Sequence, residues 1–553
     1  MMKYFILICL TLTLEPGAFA RPTFGKNGLV VSANDLASQA GIATLKKGGT
    51  AADAAVTTAF VLAVTRPYYG SLGGGGLMLT RFNNEVLALD HRERAPHKAT
   101  VDMYLKAPKG ASLTGGLAIG IPGNVRGLFE LHKKFGKLSW SEDIQAAVTL
   151  AKNGFMVTGE MARMIKETFN DFSAQGKKIF SNDSKPFHVG DTLKQPQLAE
   201  ALEIIQRNGA DGFYKGPVAD DIAQTIKHEH GILDSQDLKK YEAHWMKPLK
   251  QDIFDIKIYS MPPPSSGGAL LFSELKMAEA LKIQNLKPYG QDEFHLLAEI
   301  MNRAFFDRQY LADPKYTTIP IDEIYRDSRI QKWIKTINRG KKTSFDPKDF
   351  DLGEGGISSN EGWHTTHYVI IDKWQNVVSA TTTLNNDEFG SGVVTEKYGI
   401  ALNDTMDDFT TRPGEPNMFG LTQGKANIIA PGKTPLSCMT PTIIEKNGKF
   451  WMALGASGGP RIISAVFQVT LRSLTTSFSL DQIVQAPRIH HQWKPDKVFF
   501  EATLSPDTQE ALTKKGHFLA EIPIARVHAI KITPDGEYEG AFDSRGEGGA
   551  AGY

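Results

Sequence analysis

The stretch 339–362, RGKKTSFDPKDFDLGEGGISSNEG, constrains this chain more than any other. It is polar, Gly-rich and nearly free of aliphatic residues, the composition of a flexible exposed connector. Before it the chain reads as helices punctuated by glycine. Directly after it come strand-like runs: HTTHYVIID, NVVSATTTL, GIALND and PTIIEKNGKFWMALGA. A fold for this sequence must accommodate a break near residue 363, with Thr365 and Thr366 opening the first strand beyond it.

This layout suits a chain that is cut at the connector, leaving threonine as a new N-terminus. A threonine hydroxyl is a weak nucleophile unless a base takes its proton. A freed α-amine, with a pKa of about 7.7–8.0, can be that base on the same residue. Adjacent strand residues face opposite sides, so only one of Thr365 and Thr366 can enter a given site. Thr365 is the candidate. DKWQN (372–376) reads as a turn, and a hairpin centred on Trp374 sets Thr365 opposite Thr383. The second hydroxyl could then orient the first. Thr–Thr pairs also occur on strands through β-propensity alone, so the pair leaves both readings open.

Elsewhere the local signals are plain. Asn34 and Gly48-Gly49 bracket a helix from Asp35 to Lys47, and an Ala-rich helix from Ala51 to Thr65 stops before Arg66-Pro67. Glu85 to Asp90 reads as a strand, and Pro196 to Asn208 as a helix. Gly73 to Gly76 precede no Gly-Lys-Ser/Thr, so a tight turn or close backbone approach is expected rather than a phosphate loop. Lys plus Arg number 62 and Asp plus Glu 61, so no global field favours nucleic acid. His490-His491 would point to opposite faces of a strand, and no metal motif is present; a hydrogen-bonding role is expected and no metal or cofactor. The lack of Gly-x-Ser-x-Gly weakens an α/β-hydrolase reading.

Residues 1–20 read as a secretory signal. Lys3 is followed by an apolar run of 11 residues, Tyr4 to Leu14, then by Ala18-Phe19-Ala20. The run is too short to span a bilayer, and no other stretch is long enough. The mature chain is expected to begin at Arg21, outside the cytoplasm and in the periplasm. Cys9 leaves with the leader, so Cys438 is the sole mature thiol.

From Gly28 to Tyr553 the chain resembles the γ-glutamyltranspeptidase (glutathione hydrolase) family of N-terminal-nucleophile hydrolases. The resemblance is carried by GLVVSANDLASQAGIATLKKGGTAADAAV, DHRERAP, MPPPSSGG, TTHYVIIDKWQNVVSATTTLN, LNDTMDDF, PLSCMTPTI, GASGGPRII, APRIHHQW and GGAAGY, in the family's order and with similar spacing. It implies an α+β fold, an αββα sandwich whose two stacked sheets take strands from both subunits. It implies self-cleavage between His364 and Thr365, giving a large subunit of residues 21–364 and a small one of 365–553.

The resemblance also implies roles. Thr365 is the nucleophile in self-cleavage and in catalysis, with Thr383 beside it. Gly458 and Gly459 supply oxyanion-hole amides. Arg92 grips the donor's α-carboxylate, helped by Ser437 and Cys438. Asn385, Thr405 and Asp408 meet its α-ammonium. Phe419 falls in a lid loop, residues 409–430. Four departures touch the glutamate pocket. Cys438 stands for serine, Thr405 for Gln or Glu, and Phe419 for a lid tyrosine, and LNNDEFGSG is one residue longer than the family pattern. The implied donors are glutathione and other γ-glutamyl compounds; the implied acceptors are an amino acid, a peptide or water. Rival expectations are an acylase of the same fold acting on glutaryl β-lactams or poly-γ-glutamate, and an uncleaved binding homologue.

Overall fold

Fourteen strands form two seven-stranded sheets in the computed structural model, which describes residues 22–352, 365–386, 389–415, 417–418, 420–421 and 424–553. The leader 1–20, His364 and Phe419 lie outside the described residues. In chain order the strands are β1 (Thr23–Gly25), β2 (Gly28–Ser32), β3 (Gly75–Phe82), β4 (Glu85–His91), β5 (His244–Met246), β6 (Leu249–Ile253) and β7 (Ile256–Ser260). Beyond the connector come β8 (Thr366–Asp372), β9 (Val377–Thr383), β10 (Thr442–Lys446), β11 (Lys449–Ser457), β12 (Arg526–Ile532), β13 (Tyr538–Phe542) and β14 (Gly549–Gly552).

The first sheet runs β14-β2-β8-β9-β3-β4-β5 and the second β1-β13-β12-β11-β10-β7-β6. Strands from the two sides of the connector interleave in both, so neither half holds a complete sheet. Period-two alternation assigns the faces. Leu29, Val31, Val369 and Ile371 pack between the sheets with Ile443, Ala453 and Val527. Val30, Ile370 and Val378 turn the other way, onto Phe60, Val61 and Val64. Helices Asp35–Lys46 and Ala51–Thr65 cover the first sheet, and helices Gly267–Ala280 and Arg461–Thr475 the second. This is the expected αββα sandwich.

Local expectations hold where short-range chemistry decides. Asn34 caps the first helix by accepting from Ala37 N–H, and the Ala-rich helix spans Ala51–Thr65. Gly74 N–H closes a turn onto Ser71 O at 3.2 Å and Gly75 and Gly76 open β3, while a Cβ on Gly73 or Gly74 would collide with the Ala401 or Thr383 carbonyl oxygen, the close backbone approach expected. His490 contacts Ser464 Oγ at 2.7 Å and His491 contacts Asn302 Nδ2 at 3.2 Å, a hydrogen-bonding pair as expected.

The connector differs from its reading. Residues 339–352 are pinned: Phe350 stacks on Trp333 with centroids 3.5 Å apart, and the Thr343 hydroxyl donates to Glu299 at 2.5 Å. Its aromatics, rather than aliphatics, supply the anchors.

The β8–β9 hairpin positions the candidate nucleophile. Thr366 pairs with Thr382, so the turn centres on Trp374 and Thr365 aligns with Thr383. Asp372 fixes that turn, accepting from Trp374 N–H at 2.9 Å and Asn376 N–H at 3.0 Å. It also accepts from Ala51 N–H at 2.9 Å, tying the hairpin to the second helix. Asp372→Ala would strand these donors in a buried place, at about 1–3 kcal/mol for an unsatisfied group. We expect a loss of about 2–4 kcal/mol, read from urea unfolding of the uncut Thr365→Ala chain with and without the change.

Candidate active site

One pocket gathers most of the candidate residues. Arg92, Thr365, Thr383, Asn385, Asp408, Ser437, Cys438 and Gly459 line it, together with Arg308, Leu421, Leu436, Met439, Pro460 and Ile462. They arrive on several separate elements. Thr365 immediately precedes β8, Thr383 ends β9, and Asn385 lies two residues beyond it. Arg92 follows β4, Asp408 ends the 3₁₀ turn Thr405–Asp408, and Gly459 follows β11.

Thr365 is 7% exposed and holds φ at +139°. A β-branched residue enters that region at a cost of about 1–3 kcal/mol. Thr383 Oγ1 accepts from Asn385 N–H at 2.8 Å, which leaves its own O–H proton to donate. Among the described residues, no side-chain hydrogen bond joins Thr365 to Thr383. Thr366 is turned away and does not line the pocket, as strand alternation requires.

Gly458 and Gly459 join β11 to helix Arg461–Thr475, with φ of +133° and +56°. Their carbonyls accept from Arg461 and Ile462 N–H at 3.2 and 3.1 Å, while neither glycine N–H donates to another described residue. Two amides with no acceptor among the described residues, at a helix N-terminus, have the chemistry to receive developing negative charge.

The charged wall is buried. Arg92 Nη1 donates to Glu93 Oε2 at 3.0 Å, and Nη2 donates to Asp408 Oδ2. The expected carboxylate-gripping arginine is thus already engaged by two protein carboxylates. Burial pushes the Asp408 carboxyl up to about 7, against the pull of Arg92. Burial likewise raises Glu93. Thr405 is buried behind this wall and does not line the pocket; its N–H donates to Asn403 Oδ1 at 3.1 Å. Ser437 Oγ accepts from Met439 N–H at 3.0 Å, and Ser266 Oγ lies 3.9 Å from Cys438 Sγ.

The loop 409–430 crosses the site: Leu421 lines the pocket, and Asn385 Nδ2 reaches Met418 Sδ at 3.8 Å. Phe419 is outside the described residues. Sequence reasoning missed Arg308, Leu421, Leu436, Met439, Pro460 and Ile462. The last four lie inside the motifs PLSCMTPTI and GASGGPRII and Leu421 inside the 409–430 loop, so proximity could have found them; Arg308 carried no local signal.

Comparison with known proteins identifies relatives of the whole chain. The family profile described as Gamma-glutamyltranspeptidase matches residues 37–553. The chain is 39% identical to an Escherichia coli protein named Glutathione hydrolase proenzyme, covering 95% of this chain and 91% of the relative. The solved Helicobacter pylori gamma-glutamyltranspeptidase is similar at 36% identity and a TM-score of 0.56, over 58% of this chain and 95% of that one. A cephalosporin acylase from Bacillus halodurans shares the fold, with a TM-score of 0.84 at 23% identity over 99% of both chains. By sequence, over nearly its whole length, the chain belongs to the gamma-glutamyltranspeptidase family of enzymes.

Proposed function

We propose that the chain cuts itself between His364 and Thr365 and then acts as a γ-glutamyltransferase and glutathione hydrolase with Thr365 as nucleophile. The observation that carries this reading is the convergence of Thr365, the Gly459 turn and the Arg92–Asp408 pair on one pocket. In the first reaction the Thr365 hydroxyl attacks the His364 carbonyl carbon. The peptide C–N bond breaks, an ester forms, and the hydroxyl proton passes to the new α-amine. Water then hydrolyses the ester, leaving residues 365–553 with a free N-terminal threonine.

In the second reaction that amine takes the hydroxyl proton as Oγ attacks the γ-carbonyl of the donor. The Gly458 and Gly459 amides hold the oxyanion. The proton goes to the leaving amine, and a γ-glutamyl-Thr365 ester remains. An amino acid, a peptide or water then takes the acyl group. Arg92, with Ser437 and Cys438, receives the donor's α-carboxylate, and Asp408 and Asn385 its α-ammonium. The apolar run and Ala-x-Ala of the first twenty residues support export to the periplasm, and no described helix is long and apolar enough to cross a membrane.

The donor head group is tested by comparing γ-glutamyl with glutaryl anilides, which lack the ammonium. We expect a preference for the γ-glutamyl donor of at least about tenfold, the scale of one charged hydrogen bond; equal rates would favour the acylase reading. Asp408 must be ionised to hold the ammonium, and its carboxyl sits at about 7. As pH falls below 7, kcat/KM for the γ-glutamyl donor is therefore expected to fall more steeply than for the glutaryl donor. Both donors share the loss from protonating the Thr365 amine, so their ratio isolates Asp408. A ratio that stays constant from pH 8 to 5.5 would remove Asp408 from this role.

A further inference from the structure

We propose that His367 is a positioning residue that sets the Thr365 hydroxyl against the Gly458 and Gly459 amides. The inference rests on the nucleophile and oxyanion roles proposed above. His367 is 0% exposed, lies on β8 two residues past Thr365, and does not line the pocket. Like Val369 it faces the space between the sheets, and there its ring meets two further strands, β9 and β11.

On β9, Thr381 stands directly opposite, and its Oγ1 lies 2.8 Å from His367 Nδ1. Ser379 Oγ lies 3.4 Å from Nε2 and donates its own proton to the Leu454 carbonyl at 3.1 Å, so toward the ring it can only accept. The ring proton is therefore on Nε2, and Nδ1 accepts from the Thr381 hydroxyl. Burial, with the neighbouring His528 ring, pushes the His367 pKa well below the usual histidine value and keeps the imidazole neutral. With both nitrogens engaged, the ring is held in one orientation.

On β11, a Cβ added to Gly455 would lie 2.2 Å from His367 Cε1 and 2.5 and 2.6 Å from the two ring nitrogens. The ring edge thus rests on the bare Cα of Gly455, and this close approach is the reason for glycine in mid-strand. From Gly455 the strand runs through Ala456 and Ser457 straight into Gly458 and Gly459. The imidazole is a spacer of fixed thickness between the strand that follows the nucleophile and the strand that ends in the oxyanion amides. Attack geometry tolerates little error: a misplacement of about 1 Å can cost about 10²-fold in rate.

The test is single-turnover acylation by γ-glutamyl 4-nitroanilide on matured protein, with steady-state kcat and KM alongside. His367→Ala is expected to lower the acylation rate and kcat by about 30- to 100-fold, with KM within about threefold of wild type. Gly455→Ala, whose methyl must displace the ring, should show a loss of the same kind. In the double variant the methyl enters the space the imidazole leaves, so the loss should fall short of the product of the single losses by at least about fivefold. His367→Asn keeps an acceptor for Thr381 and should lie between wild type and alanine. Self-cleavage uses the same hydroxyl and amides, so a His367 variant that stays uncut yet unfolds at the urea midpoint of the uncut Thr365→Ala chain supports the assignment. An unchanged acylation rate in the variants that mature, a change confined to KM, or single losses that multiply in the double variant would overturn it. Loss of the folded state in both His367 variants would mark a purely structural residue and overturn it too. If the wild-type protein turned over no γ-glutamyl anilide, the functional reading itself would fail, before any variant is compared.

Discussion

Thr365→Ala is expected to leave the chain in one piece and to lower γ-glutamyl anilide turnover by at least about 10⁴-fold, the scale seen when a covalent nucleophile is removed. Two losses are combined in that single change. Without the hydroxyl, nothing attacks the His364 carbonyl, so the amine that would serve as base stays locked in a peptide bond. The donor also has nowhere to deposit its acyl group. The fold should survive, because Thr365 precedes β8 and makes no ladder pair of its own. Thr365→Ser keeps the hydroxyl and should restore cleavage and much of the turnover. Full activity in the alanine variant would mean that another residue carries the acyl group.

Gly458→Ala is expected to cut kcat by about 10²- to 10³-fold, the usual cost of losing an oxyanion donor, with KM changed far less. The reason is geometric. Gly458 holds φ at +133°, and a Cβ there would lie 2.9 Å from Ala525 Cα, a backbone atom that cannot swing aside. The turn must shift, and the amides of Gly458 and Gly459 shift with it, away from where the oxyanion forms. Self-cleavage passes through a tetrahedral intermediate as well, so maturation should slow in parallel. A single-turnover acylation assay on fully matured protein separates the two effects. An unchanged acylation rate would show that these amides do not hold the oxyanion.

The hairpin that places Thr365 was legible because its turn chemistry is local: Asp372 and Asn376 bracket Trp374, and the observed register sets Thr366 against Thr382. The glycines at 458 and 459 were legible through their resemblance to a known motif, and their positive φ values give the physical reason for glycine there. Arg308 was not legible. It sits in the pocket because a 17-residue helix ends there and because Asp307 is held by Arg329, 22 positions further on. No periodicity or short motif reports such a long-range anchor. The same limit explains the connector, where Phe345 and Phe350 pack on Trp333 although the surrounding composition is that of a loop. The engagement of Arg92 by Glu93 was hidden for another reason: neighbours in sequence reveal no side-chain directions until the backbone is known.

The most direct test of the account is the intact mass and N-terminal sequence of the purified wild-type protein. The account predicts two chains that remain associated, the smaller spanning residues 365–553 and beginning Thr-Thr-His-Tyr. Their association follows from the interleaving of strands, since neither half holds a complete sheet. A single uncut chain, after incubation long enough for slow maturation, would contradict the account and make an uncleaved binding protein the better reading.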